Sequence, residues 1–402
     1  MKRVFVLLSA CAVLGLLMGA ISGCDNVQQG GNGRHLLYAG NIGSSSIAAF
    51  TVSASGSPAS VAGSPFDAGG VQPVVLAAVA TKFLYAATPG SPAPAVRLLT
   101  RLGRGSGIHA VVVQSGGVLA FTINSDGSLG TPTLFNSPSD IDAIAVTPND
   151  LFLYAADIAS SNVRAFSINA TTGALTLVNN SQVSTGVNPF SLAIDPAGKF
   201  LFVGNEGDPF GDPTTPGSVQ VFAINADGTL TAVAGSPFAV GGGDAFPTWL
   251  AVSPDGKFLF VSSFDDKVYV SNIAGNGALS DNNSATLPGA GATPCDVCPS
   301  SVAVSVDGKF VYTANTGTDN ISEYSVAANG TLSHIGEVNA GTSPGVILPD
   351  PGGSLVYVSN FGSPPANGSI SVFTIGGTGG LSSVGAAMDA SGSGTFGLAT
   401  SQ

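Results

Sequence analysis

Short apolar strings closed by small residues recur along the sequence. They read Leu36-Leu37-Tyr38-Ala39-Gly40, Phe83-Leu84-Tyr85-Ala86-Ala87, Phe152-Leu153-Tyr154-Ala155-Ala156 and Phe200-Leu201-Phe202-Val203-Gly204. Then come Phe258-Leu259-Phe260-Val261-Ser262, Phe310-Val311-Tyr312-Thr313-Ala314 and Leu355-Val356-Tyr357-Val358-Ser359. Before each of the later copies lies an apolar run and a tight turn, as in Trp249 to Ser253 followed by Pro254-Asp255-Gly256-Lys257. After a variable loop comes an alternating stretch such as Val219-Gln220-Val221-Phe222-Ala223-Ile224-Asn225. A glycine turn, Ala226-Asp227-Gly228, leads into a fourth stretch at Thr229-Leu230. Alternation at period two with Asp-Gly turns predicts antiparallel hairpins.

Each unit therefore reads as a four-stranded antiparallel meander that cannot bury both faces alone. Seven such sheets around an axis predict an all-β fold, a seven-bladed β-propeller. The first copy, at Leu36, has no apolar strand before it. The matching strand stands at the other end, as Phe396-Gly397-Leu398-Ala399-Thr400. The C-terminal strand is expected to pair into the first blade, closing the ring and leaving no open edge.

The N-terminal segment has a different pattern. Met1-Lys2-Arg3 is basic, Val4 to Ala20 is apolar, and Ile21-Ser22-Gly23-Cys24 puts small residues before a cysteine. This resembles the lipobox of bacterial lipoproteins, which implies acylation of Cys24 and cleavage after Gly23. Two or more acyl chains on one residue give stable membrane anchoring. The expected organisation is a signal peptide over 1–23, a polar, glycine-rich tether over 24–33 and the propeller over 34–402. The protein is expected to be exported and lipid-anchored to the cell envelope.

Composition narrows the function classes. Only 9% of the 402 residues are charged and 55 are glycine, against roughly 25% charge and 7% glycine in average usage. Many short buried strands joined by glycine turns account for both. Twelve Lys and Arg against 24 Asp and Glu speak against nucleic-acid partners, which need a basic face. With three histidines in all, few imidazoles are available to any catalytic site.

The repeats are similar to those of the 6-phosphogluconolactonase-like lactonase family, seven-bladed propellers with relatives carrying YVTN-type repeats. The carrying residues are the turns Pro254 to Lys257 and Val306-Asp307-Gly308-Lys309, the strands that follow them, and the exits Ala314-Asn315 and Val358-Ser359-Asn360. The likeness covers roughly Arg34 to Gln402. It implies a lactonase, a carboxylic ester hydrolase acting on a lactone or cyclic ester. It places the cleft on the ring face built by the loops entering the innermost strand and those joining the second strand to the third. Asn205-Glu206 resembles the family's Asn-Glu after the fourth blade's second strand. Asp157-Ile158-Ala159 stands where the family has an Asp-Leu-Gly-type loop. In place of the family's Pro-Arg-His, this chain reads Asn188-Pro189-Phe190-Ser191.

Glu206 is the candidate general base, activating water against a lactone carbonyl. An insertion of about 20 residues in the second blade carries Arg97, Arg101 and Arg104, which share one face if helical, and ends near His109. With Asn205 and Asp157 these are the candidate substrate-binding residues, the arginines suited to bidentate contacts with an anionic group. Asp157, Glu206, Asp208, Asp212, Asp244, Asp265, Asp266, Asp296 and Asp319 would share the same rim. No compact calcium-loop pattern or zinc spacing occurs among them, so no metal and no cofactor are expected. Cys295-Asp296-Val297-Cys298, with proline next and no second such pair, is read as a loop disulfide in an oxidising compartment. His35 and His334 are read as structural or surface residues. A second function class stays open: a non-catalytic, monomeric propeller whose loop face binds an envelope protein or glycan.

Overall fold

In a computed structural model, the described residues are 35–79, 82–89, 116–136, 140–179, 181–208, 215–243, 245–291, 295–363 and 367–401. They form seven antiparallel sheets, each a meander of four strands, named A to D here from the ring axis outward. Three sheets carry an additional short strand beside strand C. The seven A strands, Thr395–Ser401, Val75–Val79, Ile141–Val146, Pro189–Ile194, Pro247–Val252, Pro299–Val304 and Pro344–Pro349, contact one another in a closed circle. The corresponding B strands are His35–Asn41, Phe83–Thr88, Phe152–Asp157, Phe200–Asn205, Phe258–Ser263, Phe310–Asn315 and Leu355–Asn360.

Thr395–Ser401 pairs antiparallel with His35–Asn41, Leu36 opposite Ser401 and Asn41 opposite Thr395. The C-terminal strand thus supplies the innermost strand of blade 1, so the first and last described strands meet in one sheet. A strands are covered on both faces by neighbouring blades, so they read as continuous apolar runs. In Ile141–Val146 all six residues are buried.

The recurring aromatic string has a packing cause. The first apolar residue of each B string lies against the glycine of the next blade's C–D turn. The pairs are Leu36 with Gly127, Phe83 with Gly173, Phe152 with Gly228, Phe200 with Gly277, Phe258 with Gly330, Phe310 with Gly379 and Leu355 with Gly56. A Cβ on any of these glycines would come within 3.0 Å of that side chain, and every one has φ between +70° and +89°. No other residue meets both demands. The last pair joins blade 7 to blade 1, so the same clasp runs round the whole ring.

These connections define two faces. A–B and C–D turns make one, the turn face. B–C and D–A connections make the other, the loop face, which carries Glu206.

Candidate functional site

Glu206 follows strand B of blade 4 directly. Its backbone N–H donates to the carbonyl of Asn188 (2.9 Å), and Asn188 Nδ2 donates to the carbonyl of Gly207 (2.8 Å). Asn188 takes a left-handed backbone, φ +52°, which Asn tolerates better than most residues. Gly207, at φ +77°, is hemmed by Thr215 and Gly217, and Gly217 in turn by the Glu206 carbonyl and Pro247. The backbone at the glutamate is therefore held by the loop entering blade 4 and packs beside the start of blade 5. Its side chain is 8% exposed. Burial, helped by the negative charge of Asp208, pushes its carboxyl up to about 8. A carboxyl at that value exchanges protons near neutral pH, the property a general acid or base needs.

The other expected site residues do different work. Asn205 is the last residue of its B strand, and its Nδ2 donates to Ser218 Oγ on strand C (3.2 Å). Asn41 to Ser46, Asn315 to Ser322 and Asn360 to Ser369 repeat that bond in other blades. Asn205 thus belongs to a structural position of the repeat. Asp157 is fully buried, accepts the N–H of Ser160 (2.9 Å) and lies 3.5 Å from Arg164 Nη2. It closes its own B–C turn.

The acidic rim divides in the same way. Asp266 is buried and accepts the N–H groups of Asp296, Val297 and Cys298, clasping the loop that enters blade 6. Within that loop Cys295 and Cys298 form a disulfide. Asp319 accepts the N–H of Ser343 in the loop entering blade 7. Asp265 engages Lys267 and Tyr269. Asp157, Asp266 and Asp319 are thus loop fasteners that accept backbone N–H groups, and Asp265 is paired with Lys267. Among the described residues no group of three His, Cys, Asp or Glu is placed to hold a metal ion. Cys24, Arg97, Arg101, Arg104, His109, Asp212 and Asp244 lie outside the described residues.

No described histidine or arginine joins Glu206. His35 lies on the turn face with Nε2 2.9 Å from Asp350 Oδ1, and His334 stacks edge-on against Tyr324 in the outer strands of blade 6. Phe190, in the position of the family's Arg-His, is buried.

One residue of interest is hidden from sequence reading. Asp142 sits in strand A of blade 3 at a bulge, between Ile141 opposite Asp157 and Ala143 opposite Ala156. It is 0% exposed, and neither carboxylate oxygen has a hydrogen-bond partner. Burial, with Asp140 and Asp157 close by, holds its carboxyl well above the usual range. Thr248 and Ser300 occupy the same bulge in blades 5 and 6. Their hydroxyls reach the carbonyls of Pro299 (2.9 Å) and Pro344 (2.8 Å) in the following blade. A protonated carboxyl is the form that leaves no unpaired charge buried at this position of blade 3. The available signal was this equivalence with Thr248 and Ser300.

Comparison with known proteins follows the same lines. The family model described as Lactonase, 7-bladed beta-propeller matches residues 108–236 and 265–396. A 6-phosphogluconolactonase of Erwinia tasmaniensis is 22% identical over 264 residues, 56% of this chain and 78% of that protein. The structure of the periplasmic gluconolactonase of Pseudomonas aeruginosa superposes with a TM-score of 0.67 at 19% identity, covering 92% of this chain and 99% of its own. A Lactobacillus plantarum protein gives 0.67 at 18% identity, covering 92% and 100%. At these identities the solved structures speak for the fold.

Proposed function

Because the chain belongs to the lactonase family of seven-bladed β-propellers, we propose that it hydrolyses a lactone or related cyclic ester on its loop face, outside a membrane to which Cys24 anchors it. The observation that carries this reading is Glu206, a buried carboxyl whose proton affinity is raised to about 8 at the face where the resemblance puts the cleft. The ionised carboxylate takes a proton from water as the water oxygen bonds to the lactone carbonyl carbon. The ring C–O bond then breaks, and the leaving oxygen takes the proton back from Glu206. One water is consumed and one hydroxy acid is formed. The substrate stands outside the cytosol in this reading, and a protein of similar fold is named a periplasmic gluconolactonase.

The test is a panel of sugar and aliphatic lactones followed by acid release, with wild type and Glu206→Gln compared. Loss of roughly 10²–10⁴-fold, the usual worth of a general base, supports the role. Equal rates for the two proteins remove it. A second reading has its own observation: Phe190 replaces the family's Arg-His, and the described histidines and Arg164 are engaged elsewhere. That favours a non-catalytic propeller binding an envelope protein or glycan, and hydrolysis of no lactone in the panel would favour it further.

A further inference from the structure

The ring axis holds a cavity that the loop-face chemistry does not use. Its volume is about 170 Å³. Its walls are the A strands of blades 4 to 7 and of blade 1, with Trp249, Val302, Val346 and Leu398 among them. Its rim is Pro196, Pro254, Val306 and Pro351, one from each of four consecutive A–B turns. Apart from the Thr400 hydroxyl and the Trp249 indole N–H, no side chain lining it carries a polar atom.

In each of those four turns a polar residue stands between wall and rim, and each is engaged by a B strand. Asp195 Oδ1 accepts the N–H of Phe200 (2.6 Å), and the Oγ atoms of Ser253 and Ser305 accept those of Phe258 and Phe310 (2.9 and 3.0 Å). Asp350 takes His35 Nε2 at 2.9 Å, from strand B of blade 1. All four are buried. The mouth of the cavity is thereby left to proline and valine.

The other end of the cavity is set off from the loop face. Its wall begins at Trp249, Val302, Val346 and Leu398, and on the loop side of these residues neighbouring A strands are tied together. Thr248 Oγ1 donates to the carbonyl of Pro299 (2.9 Å), Ser300 Oγ to that of Pro344 (2.8 Å) and Ser301 Oγ to that of Gly345 (2.7 Å). Phe396 packs on Gly345 so closely that a Cβ there would run into its ring. The cavity is therefore reached from the turn face, and Glu206 stands on the other.

Volume and lining together select the occupant. Water held in a cavity needs roughly two to four polar partners, which these walls do not supply, whereas an apolar cavity of roughly 150 Å³ stays dry and admits benzene. An ion would lose its hydration with no opposite charge to meet. We infer that the axial cavity is a binding site for one small uncharged apolar molecule, the size of a single aromatic or alicyclic ring, which enters by the turn face and packs against Trp249. The site is separate from Glu206 and stands whether or not the protein hydrolyses lactones.

Trp249 is the only tryptophan of the chain, so indole fluorescence reports on this cavity. The full chain is titrated with bromobenzene, whose heavy atom quenches indole emission on contact, and separately with sodium bromide as a quencher confined to solvent. The expected result is saturable quenching by bromobenzene that toluene reverses by competition, with only weak, linear quenching by bromide. Ala251→Leu and Val304→Phe enlarge two half-exposed lining residues, and each should weaken bromobenzene binding several-fold. Quenching by bromobenzene that stays linear, or that toluene does not reverse, overturns the proposal on the wild-type protein alone. Equal binding by wild type and both variants, each shown to be folded by its urea transition, puts the ligand elsewhere and overturns it as well.

Discussion

The hydroxyl of Tyr154 in blade 3 donates a 3.0 Å hydrogen bond to the carbonyl of Gly228, 74 residues on in blade 4. Tyr38 with Gly127, Tyr85 with Gly173 and Tyr312 with Gly379 repeat it at 3.0, 2.8 and 2.9 Å. Blades 4 and 5 have Phe202 and Phe260 at this position, buried without a hydroxyl. Tyr154→Phe leaves the packing and removes the donor, so the Gly228 carbonyl stays buried without this bond. The expected cost is about 1–2 kcal/mol, read as a lower urea midpoint at an unchanged slope.

Gly228 itself is more sensitive. Its φ is +83°, and a Cβ there would run into the Phe152 ring. Gly228→Ala should cost more than Tyr154→Phe, because it strains the turn and pushes the two blades apart together. A urea midpoint for Gly228→Ala at or above that of Tyr154→Phe would contradict the clasp.

Asp142 provides a pH-dependent prediction. Its folded-state pKa lies well above the ordinary 3.8, so the folded state binds the proton more tightly than the unfolded chain. Its contribution to stability is complete below that ordinary value and is lost as pH rises through the folded value. Asp142→Asn keeps a donor and carries no charge. It should raise the urea midpoint at pH 8 and change it less at pH 5. A lower midpoint at pH 8 would mean that the buried charge is satisfied in wild type.

His35 works at the ring's seam. Its hydrogen bond to Asp350 raises its pKa above 6.5. The stability it supplies is present below 6.5 and lost as pH rises through the raised folded value. The difference in thermal midpoint between wild type and His35→Gln should be largest at pH 6 and shrink by pH 9. A difference that grows with pH would contradict the pairing.

The fold was legible because each blade repeats the same punctuation: an apolar strand, a Gly turn, a Phe-Leu-Tyr string and an alternating strand. Closure could also be read, since Phe396 to Thr400 supplies the strand that Leu36 lacks. The site was less legible. Asn205 and Asp157 look like site residues on the strength of their loop neighbours, but their partners, Ser218 and Arg164, come from strand C of their own blades. Asp266 looks like part of an acidic mouth until its three N–H donors, about 30 residues on, are brought to it. His35 and Asp350 meet only because the ring closes. Asp142 is concealed by a bulge, which shifts side-chain parity in a way that alternation cannot show.

The central claim is that Glu206 moves a proton during lactone hydrolysis, and its pH profile tests this most directly. With its carboxyl raised to about 8, the ionised base is a minority at pH 6 and the majority at pH 9. After subtraction of hydroxide-catalysed hydrolysis, kcat/KM should rise with pH and level off above about 8. In Glu206→Gln that rise should disappear along with most of the rate. A wild-type profile flat from pH 6 to 9, or a Glu206→Gln profile that keeps the same rise, would contradict the account.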